Sequence, residues 1–145
     1  MIANERQHRI AKAELRRFEG AIGEHGRREP SPEVAPRIHR ALGEAMESEA
    51  EALRTQIKRY EDLRKGRIGS RKLDSLRELP VALIEARIVA GLTQKELARR
   101  LGVPEQQVQR WESSLYSGVG VGRLQEIADA LGLQIRETVR YAVPS

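Results

Sequence analysis

Apolar residues recur along the chain first at helical spacing over long stretches, then at helical spacing over short ones, and last at alternate positions. In the first stretch Ala11, Leu15, Phe18 and Ile22 step by four, three and four, which draws one stripe along an α-helix. Asn4 followed three residues later by Gln7 is a capping-box start for it. Gly23, Gly26, Pro30, Pro32 and Pro36 are expected to stop it. A second stripe, Ile38, Leu42, Met46, Ala50, Leu53, Ile57, Tyr60 and Leu63, predicts a helix of ~27 residues, or ~40 Å. Neither stripe is satisfied alone in water, so the helices are expected to form a hairpin, or to pack on the second half or on another copy of the chain. Residues 1–65 are thus read as a hairpin for dimerisation or partner binding, with a purely local hairpin as the alternative.

The rhythm then shortens. Pro80 suits a first helical position, Ile84 and Ile88 lie one turn apart, and Gly91 closes that helix. Thr93 and Glu96 form a second capping box before the stripe Leu97, Ala98 and Leu101. After Gly102-Val103-Pro104 a brief helix is predicted from Glu105 to Glu112, then a loop through Gly122, then a helix from Arg123 to Leu131 with Leu124, Ile127, Ala128 and Leu131 inward. In the last segment Leu133, Ile135, Val139, Tyr141 and Val143 sit at alternate positions, which predicts a short C-terminal strand pairing with its symmetry mate in a dimer; a helix reaching Thr138 is the alternative.

Composition narrows the chemistry. The 145 residues include 26 Lys+Arg, 21 Asp+Glu and no Cys, which excludes disulfides, thiolate metal sites and a cysteine nucleophile. No apolar run reaches the ~18–20 residues of a membrane span, and Met1 leads directly into a charged segment, so a cytoplasmic protein away from the membrane is expected. Residues 1–36 and 37–65 each hold seven basic and six acidic residues, and 78–145 hold eight of each. The basic excess lies in 66–77, with four basic residues and one acidic, a linker that is read either as a solvated tether or as an arm along a nucleic-acid backbone.

Two helices joined by a short glycine-containing turn, the second brief and polar, make a helix-turn-helix arrangement. Stepping 100° per residue from Val108 puts Trp111 and Glu112 on the inner side and Gln106 and Arg110 near the opposite pole, flanked by Gln107 and Gln109. Glutamine pairs with adenine and arginine with guanine in the major groove, so this face suits base edges better than a merely solvated helix would. Trp111 is expected in the core, and Tyr116 is left open between surface and DNA.

Residues 79–139 resemble the Cro/C1-type, or XRE-type, helix-turn-helix, in the run Arg87 to Ala98, then Leu101-Gly102-Val103, Val108, Arg110-Trp111-Glu112, and Leu124 through Ile127-Ala128 to Leu131-Gly132. The resemblance implies a five-helix lambda-repressor-like domain over 78–145; with the hairpin 1–65 and the linker 66–77 read from the pattern outside it, a mainly α protein is expected. It implies that Gln94 caps its helix against a phosphate, that Glu105, Gln106, Gln107 and Arg110 read bases, and that Arg87 and Glu112 form a partly buried structural ion pair. Thr93, Lys95, Gln109 and Ser113 complete the expected DNA surface, with Arg99 and Arg123 as further candidates for phosphate contact. Pro104 departs from the family, standing where Ser or Thr usually caps. Glu105 places a carboxylate toward DNA unless it accepts from a cytosine amino group.

The expected function is a dimeric repressor reading a palindromic operator in double-stranded DNA. The alternative is an antitoxin that binds a toxin through residues 1–65 and represses its own operon, which the C-terminal alternation also resembles. Gly118-Val119-Gly120-Val121-Gly122 follows a helix and lacks the lysine of a phosphate-binding loop, and His8, His25 and His39 lack ligand spacing. No cofactor, metal or catalytic grouping is expected.

Overall fold

The computed structural model describes residues 1–145. It is all-helical, in two compact units that divide between Leu73 and Asp74.

The first unit is a hairpin of α1 (Glu5–Arg27) and α2 (Pro36–Arg64). Asn4 caps α1 by accepting from the Gln7 amide at 2.9 Å, and the Gln7 side chain returns to accept from the Ala3 amide at 2.8 Å. Contrary to expectation, α1 runs through Gly23 and Gly26 to Arg27. A glycine weakens a helix by only about 1 kcal/mol, and packing against α2 holds this stretch: the His25 imidazole stacks on His39 at 3.9 Å and hydrogen-bonds to the His39 carbonyl at 2.8 Å. A Cβ at Gly43 would lie 3.0 Å from that imidazole, so a side chain there would require the ring to shift. The hairpin core is concentrated toward its open end, away from the 28–35 connection, where Ile2, Ala3, Ala11, Ala50, Ile57, Tyr60 and Leu63 are buried. There the His8 ring meets Glu61 at 3.0 Å, and Arg64 pairs with Glu5. Toward the other end Leu15, Phe18, Ile22 and Met46 are half-buried, and Ile38 and Leu42 are exposed.

The second unit begins with a 3₁₀ turn (Leu76–Glu78) that takes up the end of the expected linker. Four α-helices follow: α3 (Leu79–Val89), α4 (Gln94–Leu101), α5 (Glu105–Ser113) and α6 (Val121–Ala130). The five helices expected are thus four and one 3₁₀ turn. Leu83, Ile84, Ile88, Leu97, Ala98, Val108, Ile127 and Ala128 form the core. Gly102, at φ 67°, ends α4 in the left-handed conformation and turns the chain into α5. Arg100 reaches from α4 to the Ala130 carbonyl at 3.2 Å, closing the end of α6.

No strand forms. The chain after Gly132 has no regular structure, and Val139, Tyr141 and Val143 are exposed. Alternation prepares a segment for a sheet, but a strand also requires a neighbour to pair with, and no other segment of this chain is extended beside it.

Candidate nucleic-acid interface

The polar helix α5 is held by one buried cluster. Glu112, on its inner side, accepts from both Nε and Nη2 of Arg87 on α3, the latter at 2.8 Å, and from Gln94 Nε2 on α4 at 2.8 Å. Arg87 Nη1 also donates to the Leu92 carbonyl at 2.8 Å. The paired side chains are 3% and 1% exposed. A charge so desolvated is tolerated only when its partner and remaining hydrogen bonds are present. The cluster therefore fixes the mutual angles of α3, α4 and α5 through a fork-to-carboxylate geometry.

Around α5 the arrangement follows the 100° step. Val108 and Glu112 are buried, Gln107 is half-buried, and Glu105, Gln106, Gln109, Arg110 and Ser113 are exposed. Pro104 provides no side-chain cap. Within the exposed face Gln109 Nε2 donates to Glu105 Oε1 at 3.2 Å, and the Ser113 hydroxyl donates to the Arg110 carbonyl at 3.1 Å. Gln106 and Arg110, one turn apart, present a joined donor and acceptor surface.

At the start of α4 the Thr93 hydroxyl accepts from the Glu96 amide at 3.1 Å and Glu96 Oε2 accepts from the Thr93 amide at 2.7 Å, completing the capping box. The Thr93 backbone and side-chain hydrogen bonds hold the Glu96 carboxyl below the usual range. Lys95 is exposed beside it. Gln94 lies differently from the implied phosphate cap: the residue is 8% exposed and its amide is turned inward to Glu112. Of the implied DNA contacts, a Gln94 side-chain contact is the one this geometry favours least.

Two residues fall outside what the sequence suggested. Trp111, expected in the core, is half-buried, with its ring lying between Tyr116 at 6.2 Å and the Arg123 guanidinium at 5.8 Å. Tyr116 is 4% exposed, and its hydroxyl has no partner. It follows Leu115, and both adopt the left-handed conformation, at φ 51° and 54°. Burial, with the Glu112 carboxylate adding to it, pushes the phenol of Tyr116 well above its ordinary range. No sequence signal marks this turn, because left-handed geometry is normally announced by glycine or asparagine.

The basic linker is partly engaged within its own unit. Arg67 pairs with Asp62 of α2 at 2.9 Å. No helix is long and apolar enough to cross a membrane.

Residues 83–137 match a family model described as helix-turn-helix. No curated protein and no solved structure matches the chain.

Proposed function

Because residues 83–137 are a Cro/C1-type helix-turn-helix domain, the fold of DNA-binding transcriptional regulators, we propose that this chain is a dimeric repressor that reads a palindromic operator in the cytoplasm. The observation that carries the proposal is the exposed face of α5: Gln106, Gln109 and Arg110 stand clear of the core while Glu112 anchors the opposite side. In this reading α5 enters the major groove, where arginine and glutamine make bidentate contacts to guanine and adenine. Lys95, Thr93 and Ser113 would approach the backbone at either side, and Arg123 with them. The C-terminal domain is formally neutral, so a single copy carries little electrostatic affinity for DNA. Two copies, spaced by one helical turn of ~34–36 Å, would double the contact.

We assign residues 1–65 to self-association or partner binding, 66–77 to the linker and 78–145 to DNA recognition. Exposed Ile38 and Leu42 on the hairpin favour an associating surface there. The same observation supports the second reading, in which the hairpin engages a toxin and the complex represses its operon.

Selection of bound duplexes from random DNA by the full chain tests the proposal. A two-fold symmetric site is expected, with Arg110→Ala losing ~1–3 kcal/mol on it and relaxing one base pair per half-site. Equal losses on selected and random DNA would contradict base reading by α5. A strict monomer at micromolar concentration, measured by molar mass, would remove the dimer. A toxin-type protein held through residues 1–65, with the operator still bound, would favour the second reading.

A further inference from the structure

The recognition face contains one group that a DNA-binding surface would not be expected to tolerate. Glu105 is exposed at the first position of α5 and makes no ion pair. An unpaired carboxylate facing a duplex meets phosphates of its own sign, and its long side chain would lose rotamer freedom on docking. Instead of a cation, its partner is Gln109, one turn on, which donates Nε2 to Glu105 Oε1 at 3.2 Å. That bond leaves Glu105 Oε2 and the Gln109 oxygen as acceptors and one Gln109 N–H as a donor.

We propose that Glu105 and Gln109 act as one unit selecting a C·G pair, with the cytosine nearer Glu105. Glu105 Oε2 accepts from the cytosine N4 amino group, and the remaining Gln109 N–H donates to O6 of the paired guanine. Among the major-groove edges only cytosine and adenine offer an amino donor. The groups flanking that edge decide between them. Thymine O4 could accept the Gln109 proton as guanine O6 does, but adenine sets its N7 lone pair beside the amino group, where it repels the carboxylate and where cytosine has only a C–H, and thymine adds a methyl group on the Gln109 side. Electrostatics make the unit selective in both directions, because the carboxylate gains where an amino group meets it and repels DNA everywhere else. The pair is therefore a specificity device that weakens binding to random sequence.

The inference rests on α5 being the DNA-reading helix, and the test separates the two. Wild-type full chain, Glu105→Gln and Gln109→Ala are each used to select bound duplexes from a random pool, and their affinities for the selected site and for a scrambled duplex are measured at low salt. Thermal melts check that folding is retained. For the wild type a cytosine is expected at one position of each half-site. Glu105→Gln should reduce discrimination at that position by roughly 10- to 100-fold, leave the position read by Arg110 unchanged, and bind the scrambled duplex more tightly than wild type does. Gln109→Ala should weaken the same cytosine preference without raising scrambled-duplex affinity. An unchanged cytosine preference in Glu105→Gln, or adenine at that position in the wild type, would overturn the inference while leaving base reading by α5 intact. No sequence preference in the wild type would overturn the reading beneath it.

Discussion

The two units solve the same problem with unequal means. Each must bury the apolar stripes of amphipathic helices, yet among the largest fully buried side chains the C-terminal unit supplies Leu83, Ile84, Leu97, Val108 and Ile127, and the hairpin only Leu63. Four helices surround a core, whereas two lie on either side of a line and leave each other's flanks open. The hairpin compensates toward its open end with alanines that allow close approach and with pairs such as His8–Glu61, and near its connecting loop it leaves Ile38 and Leu42 in solvent. The C-terminal unit is closed enough to bury an ion pair. The lesson is that one unit covers its own core, while the other leaves part of its apolar stripe in solvent.

The largest effect expected to break this contrast lies in the ion pair. Glu112→Ala leaves Arg87 desolvated without its counter-charge and removes the acceptor of Gln94, which should lower the stability of the C-terminal unit by about 3–5 kcal/mol. Trp111 is the single tryptophan, so its fluorescence follows this unit alone. Urea titration should move the Trp111 transition and leave the helical signal of the hairpin in place. If both collapse together, the units fold as one cooperative block and the contrast fails.

Much of this was readable before the fold was known. The punctuation by Gly91, Thr93, Gly102 and Pro104 delimits α4 and α5 because caps and left-handed turns are local events fixed by a few residues. The hairpin stripes gave its pairing, but not its uneven burial, since a stripe states which side is apolar and not how far a partner covers it. The tail failed for a related reason: its alternation is real, but strand formation depends on another segment. Tyr116 was illegible because its burial beside Trp111 and Glu112 is a tertiary matter, and nothing in Leu115-Tyr116 announces its left-handed turn.

A smaller effect sharpens the comparison inside the hairpin. Leu63, 1% exposed, and Leu42, 55% exposed, belong to the same stripe of α2. Leu63→Ala should cost about 2–5 kcal/mol, and Leu42→Ala should stay within about 0.5 kcal/mol for a surface position. Chemical denaturation at two protein concentrations checks both. A loss above about 1 kcal/mol for Leu42→Ala that grows with concentration would mean that a second copy covers this end of the hairpin.

The smallest effect concerns a buried side-chain hydroxyl in the C-terminal unit that its surroundings fail to satisfy. The Tyr116 hydroxyl is buried without a partner, and an orphaned hydroxyl gives up its hydrogen bonds to water on folding. Tyr116→Phe keeps the ring on Trp111 and should be neutral or stabilising by up to about 1 kcal/mol. Its pH dependence has a definite sign. The folded phenol titrates above the ordinary value of 10.0, so folding favours the protonated form, and that advantage is lost as rising pH ionises the phenol in the unfolded chain. Stability of the wild type should therefore fall more steeply above pH 10 than that of Tyr116→Phe, a difference that urea midpoints at pH 7 and pH 10.5 would measure. A clear loss of stability at pH 7 in Tyr116→Phe would mean that the hydroxyl holds an ordered water or a polar group, and that this unit satisfies its buried polar atoms as fully as it fills its core.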